Sequence, residues 1–533
     1  MAWAFHSHRS VVMANRGMVA TSQPLAAQAG LRVLQEGGNA IDAAVTAAAV
    51  LGVVEPMSTG VGGDAFALLY LAKEGRVRAL NASGRAPLAA TAERMAALCR
   101  RGRIPSSGPL TVTVPGAVSA WEALLQAHGT RSLAEALAPA IGYAREGYPV
   151  SEVIGRQWAQ LSGKLRQDNG AAATYLVQGK APRIGQVFRQ PDLARTLEQL
   201  AAEGSAALYR GELAQRITAY VQAKGGLLTA EDLTAHTPTW ETPIEVTYRG
   251  HRLLECPPNG QGIAALQALG ILEGSDLGSM RWGFADTLHL QIEAIKLAFA
   301  DALRYVADPC HAAVPADGLL EPGYLARRRA LLDPRQANPS YAPGLPGAHA
   351  DTVYLTVVDE ARNAVSFISS LYEGFGSGLV VPGTGIALQN RGALFALDPA
   401  HPNCVAPGKR PYHTIIPALL LAGQQLVLSF GVMGGYMQPQ GQVQVLGNLL
   451  DWGMDVQQAL DAPRFRWVEG NEVAFEAGLS HMARLGLEKL GHSVTTNAAP
   501  ATMGGGQIIR IDPESGVLQG GSDPRKDGCA VGF

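Results

Sequence analysis

The sequence predicts an α+β protein with one intertwined core, and three features predict it. Apolar residues recur at helical spacing through most of the first half, strands dominate after residue 352, and nothing between the halves marks two independently folded bodies. The 533 residues, 47% hydrophobic and 17% charged, can bury a large core. A formal net charge of -2 with no long basic run gives no electrostatic footprint for nucleic acid or anionic membrane, so neither is expected as a partner.

The elements follow in chain order. Met1 to Gly17 lacks the apolar segment and cleavage site of a secretory signal, and a cytoplasmic location is expected. Leu25 to Gly38 reads as a helix stopped at Gly37-Gly38, and Asn39 caps a second helix from Ala40 to about Val54. That alanine-rich helix is too short for a bilayer, which needs roughly 20 apolar residues, and reads as buried. A glycine-rich bend, Ser58 to Asp64, leads to strand Ala65 to Leu71 and then strand Val77 to Ala82, which places Arg85 at a strand end where site residues often lie. Ala117 to Ala223 is mostly helical and carries no recognisable chemistry. The turn-dense loop Pro257 to Gly262 feeds a helix from Ile263 to Leu272.

A long amphipathic helix covers about Ala285 to Val306. His289 and Glu293 on it have the i, i+4 spacing of a metal pair, but no third ligand is near, so a solvated or salt-bridged face and no metal are expected. The five cysteines are widely separated without C-x-x-C spacing and read as buried free thiols. Leu332 to Ala350, with four prolines and two glycines, reads as a flexible tether. Strands are expected beyond it at Val353 to Val358, Ala364 to Leu371, Thr414 to Leu421 and Leu426 to Phe430.

Asp351-Thr352, directly after this tether, is the most informative dipeptide. Cleavage of the bond between them would give Thr352 both a hydroxyl nucleophile and a free α-amine, whose unperturbed pKa of about 7.7 to 8.0 suits a general base at neutral pH. The alternative is a strand-starting threonine with no further role. If the turn Glu360-Ala361-Arg362 pairs Asp359 with Asn363, the ladder continues to place Ser370 opposite Thr352, and a four-residue turn would place Ser369 there instead. Gly434 and Gly435 follow the strand ending at Phe430 and precede a helix containing Gln442 to Leu450, an arrangement that can present backbone N-H groups to an oxyanion. No G-x-G-x-x-G opens a βαβ unit, so no dinucleotide or other cofactor is implied.

The segments Asp351 to Asp359, Asn363 to Ser366, Phe375 to Gly378, Pro382 to Ile386 and Lys409-Arg410-Pro411 resemble the γ-glutamyltranspeptidase family of N-terminal nucleophile hydrolases. So do Gly37 to Ala44, Gly62-Gly63-Asp64, Val114-Pro115-Gly116 and Pro257 to Gly262, and the likeness spans nearly the whole chain. The resemblance is greatest to the cytoplasmic glutathione hydrolase-like branch. It implies a four-layer αββα sandwich and autoproteolysis before Thr352. The mature chains would be 1-351 and 352-533, with a dimer of such pairs left open. It also implies Thr352 as nucleophile, Ser370 as its assisting hydroxyl, and Gly434 with Gly435 as the oxyanion hole.

The substrate clamp departs from the family's pattern. Arg85 precedes Ala86-Pro87 as the carboxylate-binding arginine should, although Ser83-Gly84 leaves its register open. The acid that binds a γ-glutamyl ammonium is replaced by Leu394, and a neutral glutamine by Arg391. Paired serines become His413 and Thr414, and an asparagine becomes Tyr372. Arg85, Tyr372, Arg391 and His413 offer donors to a carboxylate, while a buried ammonium would lack its acceptor. Two substrate readings therefore stand: a γ-glutamyl amide such as glutathione, which is the family's default, and a monoamide of a non-amino dicarboxylic acid of oxamate or glutaryl type. A non-catalytic scaffold with the same fold is the third reading.

Overall fold

The computed structural model describes residues 5, 7, 9-99, 102-342 and 351-533, with Asp351 described by its backbone alone. Residues 343-350 of the expected tether lie outside the described residues.

Fourteen strands form two antiparallel sheets: β1 (Val12–Ala14), β2 (Met18–Thr21), β3 (Asp64–Leu71), β4 (Arg76–Asn81), β5 (Thr239–Glu241), β6 (Ile244–Tyr248), β7 (His251–Glu255), β8 (Asp351–Val358), β9 (Ala364–Tyr372), β10 (Ala418–Ala422), β11 (Gln425–Met433), β12 (Gly505–Ile511), β13 (Leu518–Ser522) and β14 (Cys529–Gly532). One sheet has the order β14-β2-β8-β9-β3-β4-β5, the other β1-β13-β12-β11-β10-β7-β6. Each sheet draws strands from both sides of residue 352.

Helices cover the outer faces. α1 (Pro24–Gln35) and α2 (Ala40–Val54) pack against the first sheet. α3 (Gly262–Leu272), α4 (Ala285–Tyr305) and α5 (Met437–Leu450) pack against the second. The strand pleat decides what lies between the sheets. Along β8, Val353, Leu355 and Val357 join the helix-side core, whereas Tyr354 and Val358 join the cluster shared by the two sheets. Thr356 accordingly donates to Ser429 of the facing sheet at 2.6 Å. The same alternation places Thr352 and Ser370 toward the inter-sheet face, as it does Asp64 at the start of β3, whose Phe66, Leu68 and Tyr70 lie there.

The hairpin between β8 and β9 has the three-residue turn. Asp359 N donates to Asn363 O at 3.0 Å, and the Asp359 carboxylate accepts from Asn363 N at 2.9 Å and from Ala40 N at the head of α2 at 3.0 Å. One strand expectation needs correction. The strand placed at Thr414 begins only at Ala418, because Ile416 N donates to the Gln438 side chain and Pro417 has no N-H for a ladder. Of the two readings of the charged face of α4, the salt-bridged one holds, with Lys296 on Glu293 at 2.7 Å and Arg328 on Asp301 at 3.0 Å. His289, Glu293, Lys296 and Asp301 are all buried, in part because residues 333-341 lie over the face, with Tyr341 donating to Glu293 at 2.7 Å.

Candidate active site

Thr352 is 1% exposed at the head of β8. Its Oγ1 lies 3.3 Å from Ser370 Oγ, and Gln438 Nε2 donates to it at 3.5 Å. The β8-β9 register runs unbroken from Val358 opposite Ala364 to Val353 opposite Ser369, then shifts at a bulge so that Asp351 faces Tyr372. Ser370 Oγ also accepts from Tyr372 N at 2.8 Å. Tyr372 has φ +80°, a left-handed conformation that costs a non-glycine residue roughly 1-2 kcal/mol. Strain thus sits on the residue facing Asp351, at the point where the ladder is irregular.

Gly434 and Gly435 occupy the turn between β11 and α5 with φ of +124° and +58°, values that favour glycine. Gly434 O accepts from Met437 N at 3.0 Å and Gly435 O from Gln438 N at 3.1 Å. In a trans peptide the N-H points opposite to the C=O of the preceding residue, so binding Gly434 O to the helix turns the Gly435 N-H away from it. Gln261 Nε2 holds Gly435 O and Thr414 O, each at 2.8 Å, and fixes the turn further. Gln438, the second residue of α5, reaches Thr352, so this turn lies one side chain from the threonine hydroxyl.

Arg391 is fully buried and stacks on Tyr372, with its guanidinium carbon 4.5 Å from the ring centre. Its Nη1 donates to Thr414 Oγ1 at 2.7 Å, and its Nε and Nη2 have no hydrogen-bond partner among the described residues. Burial lowers its pKa to about 10, which leaves it protonated at neutral pH. His413 is also fully buried, and its Nε2 lies 3.0 Å from Asp64 Oδ2. Burial and the nearby Arg391 push His413 well below the usual histidine range, so it is neutral and donates its single N-H to Asp64. Arg85 is half-buried and donates to Thr237 O at 3.3 Å. A cavity of about 750 Å³ is lined by Tyr372, Glu373, Arg103 and Ser106, with Leu394 and Phe395 supplying apolar wall.

The fold thus gathers Thr352, Ser370, Tyr372, Arg391, Thr414 and the Gly434-Gly435 turn at one end of the sandwich, and it gives His413 to Asp64. Sequence reasoning assigned no role to Asp64, Gln261 or Gln438. A buried carboxylate that closes a glycine-rich bend is a signal that could have singled out Asp64. Contrary to the expectation that no third ligand is near, His492 lies against His289 and Glu293 of α4, with the ligand atoms of all three within 4.8 Å of one another. Lys296 already neutralises Glu293 at 2.7 Å, so this cluster is charge-balanced without a cation.

Residues 26–533 match the gamma-glutamyltranspeptidase family. The chain belongs to that family. It is similar to the glutathione hydrolase-like YwrD proenzyme of Bacillus subtilis, with 38% identity over 98% of this chain and 99% of that protein. The oxamate amidohydrolase proenzyme of Klebsiella pneumoniae is also 38% identical, over 98% of this chain and 99% of that one. A solved cephalosporin acylase from Bacillus halodurans has a TM-score of 0.94 at 46% identity, covering 100% of this chain and 98% of its own. The two seven-stranded sheets between helical layers are the αββα sandwich of this γ-glutamyltranspeptidase and acylase group, and the chain is an enzyme of that class. Among the described residues no helix is long and apolar enough to cross a membrane.

Proposed function

We propose that this γ-glutamyltranspeptidase-family enzyme is a self-activating threonine amidohydrolase, cut between Asp351 and Thr352 into chains 1-351 and 352-533. The observation that carries the reading is the buried Thr352 hydroxyl, 3.3 Å from Ser370 and one side chain from the glycine turn at the head of α5. In activation, Thr352 Oγ1 attacks the Asp351 carbonyl, the C-N bond breaks to free the Thr352 α-amine as the peptide becomes an ester, and water hydrolyses the ester to release the Asp351 carboxylate and restore the Thr352 hydroxyl. In turnover, Oγ1 gives its proton to that amine and attacks the substrate amide carbonyl. Backbone N-H groups of Gly434 and Gly435 take the oxyanion charge, the leaving amine collects the proton, and water clears the acyl-enzyme. Ser370 orients the Thr352 hydroxyl.

The acyl group is read from Arg391. A buried guanidinium whose Nε and Nη2 edge has no partner suits a carboxylate held by two parallel hydrogen bonds. Leu394 provides no acceptor for an ammonium, and the nearby Asp64 carboxylate is already occupied by Gly84, Gln389 and His413. A non-amino dicarboxylic monoamide therefore fits better than a γ-glutamyl amide, and the oxamate amidohydrolase among the relatives acts, by name, on such a compound. The five free cysteines, three of them buried, accord with a reducing, cytoplasmic location, which cell fractionation tests.

Two measurements on purified protein test the reading. Denaturing electrophoresis should show two chains for the native sequence and one for Thr352→Ala, which should also lose hydrolysis. A glutaryl anilide should turn over faster than its γ-glutamyl counterpart. Persistent full-length native chain would support the scaffold reading, and faster γ-glutamyl turnover would return the acyl pocket to the family's default.

A further inference from the structure

Asp64 is fully buried, and its carboxylate ties together three segments that are distant in sequence. Oδ1 accepts from Gly84 N at 2.9 Å and from Gln389 Nε2 at 2.9 Å, and Oδ2 accepts from His413 Nε2 at 3.0 Å. Each tied residue immediately precedes part of the acyl pocket: Gly84 stands before Arg85, Gln389 two residues before Arg391, and His413 before Thr414. On the sheet itself Asp64 is the ladder partner of Ser370, and its backbone O accepts from Ser369 Oγ at 2.9 Å. One carboxylate thus connects the catalytic hairpin with every segment that carries a substrate-facing candidate cation.

We infer that Asp64 is a positioning residue for acyl recognition, acting through the placement of Arg391 and Thr414. The inference rests on the acyl pocket described under Proposed function. Arg391 makes one side-chain hydrogen bond among the described residues, to Thr414, beside its stack on Tyr372, so little of its own bonding fixes the direction of its guanidinium. The orientation of its open Nε and Nη2 edge follows from where Gln389 and His413 anchor the backbones on either side. Backbone hydrogen bonds from Gln389 N to Gly62 O at 3.0 Å and from His413 N to Asn259 O at 2.9 Å hold each segment, and Asp64 adds the one side-chain group that ties the two together. A carboxylate buried without water must be fully hydrogen-bonded to persist, which makes the arrangement rigid. The pocket therefore presents a preformed two-donor edge and does not need to close around the substrate.

The test is the Asp64→Asn variant, compared with Arg391→Lys and the double variant. Asparagine keeps the volume, and its Oδ1 can still accept from Gly84 and Gln389, but its Nδ2 opposes the His413 N-H, so the pair rejoins only if the ring moves its proton to Nδ1 and gives up the contact from Ile415 N at 3.5 Å, and the charge on the acceptor is lost in either case. The extent of self-cleavage reports whether the fold is kept. For the glutaryl anilide, KM should rise about tenfold, the scale of one lost charge-assisted hydrogen bond, while kcat falls much less. The double variant should be scarcely worse than Arg391→Lys alone, because both changes disable one element. Should Asp64→Asn fail to self-cleave, His413→Phe removes the same link while keeping a ring against Phe66, and it should show the same KM effect. A KM within twofold of the native value overturns the inference, as does a proportional loss of kcat and KM effects that multiply in the double variant. If the native enzyme prefers the γ-glutamyl anilide, the acyl reading fails, and the same comparison made with that substrate still decides the role of Asp64.

Discussion

At the scale of single residues, the pocket is defined by charges held away from water. Asp64 is raised by burial to about 6, partly offset by Arg391 and by its hydrogen bonds from Gly84 and Gln389. A carboxyl with a folded pKa above its unfolded value binds its proton more readily in the folded state, so between about pH 4 and 6 its contribution to stability falls as pH rises. His413, shifted the other way, contributes stability that rises with pH, and the two oppose each other in the native protein. Asp64→Asn removes only the first contribution. In the uncut Thr352→Ala background its Tm should therefore gain on that of the Asp64 protein as pH rises from about 4 to 6, and a constant difference would contradict the buried, titrating carboxyl. The sequence announced Thr352, Arg391 and the loss of an ammonium partner at Leu394, because each is a substitution or junction visible locally. It could not announce Asp64, whose partner His413 is 349 residues away, or the placement of His413 against that acid.

At the scale of elements, short turns and periodicity carried the most information. A three-residue turn fixes antiparallel register, and with a side-chain period of 2 that register alone brought Ser370 to Thr352. What it could not supply was the bulge beyond Val353, which depends on Tyr372 adopting φ +80°. The strand expected at Thr414 started four residues late for a tertiary reason, the capture of Ile416 N by Gln438. Helix α2 shows how a local signal also serves the site. Asn39 accepts from Ile41 N and Asp42 N at 2.9 and 3.1 Å and donates to His128 O at 2.7 Å, while Ala40 N holds the Asp359 turn of the catalytic hairpin. Replacing Asn39 with Ala should cost about 1-2 kcal/mol of stability, read as a lower midpoint in chemical denaturation. Self-cleavage should persist, since the Ala40 N-H to Asp359 remains; a loss below 0.3 kcal/mol, about the scatter of such measurements, would show that the cap is compensated elsewhere.

At the scale of the molecule, the sandwich explains why the two halves cannot act separately. Thr352 opens β8 in the middle of the first sheet, flanked by β2 and β9, while the glycine turn ends β11 in the middle of the second. The Thr352 hydroxyl and the glycine turn therefore meet only when both sheets are stacked, and residues from both sides of residue 352 build each sheet. The proposed cut before Thr352 would free an amine at the edge of this core without removing any strand, and so would leave the packing in place. The cavity is walled by Leu394 and Phe395 and by Tyr372, on whose ring Arg391 stacks, and Leu394 and Arg391 are where the chain departs from the γ-glutamyl pattern of its family. The most direct test of the whole account is the N-terminal residue of the smaller chain in the purified, active enzyme. The account predicts Thr352, with a chain mass that corresponds to residues 352-533. An active enzyme that remains a single chain, or whose smaller chain begins anywhere else, would contradict it.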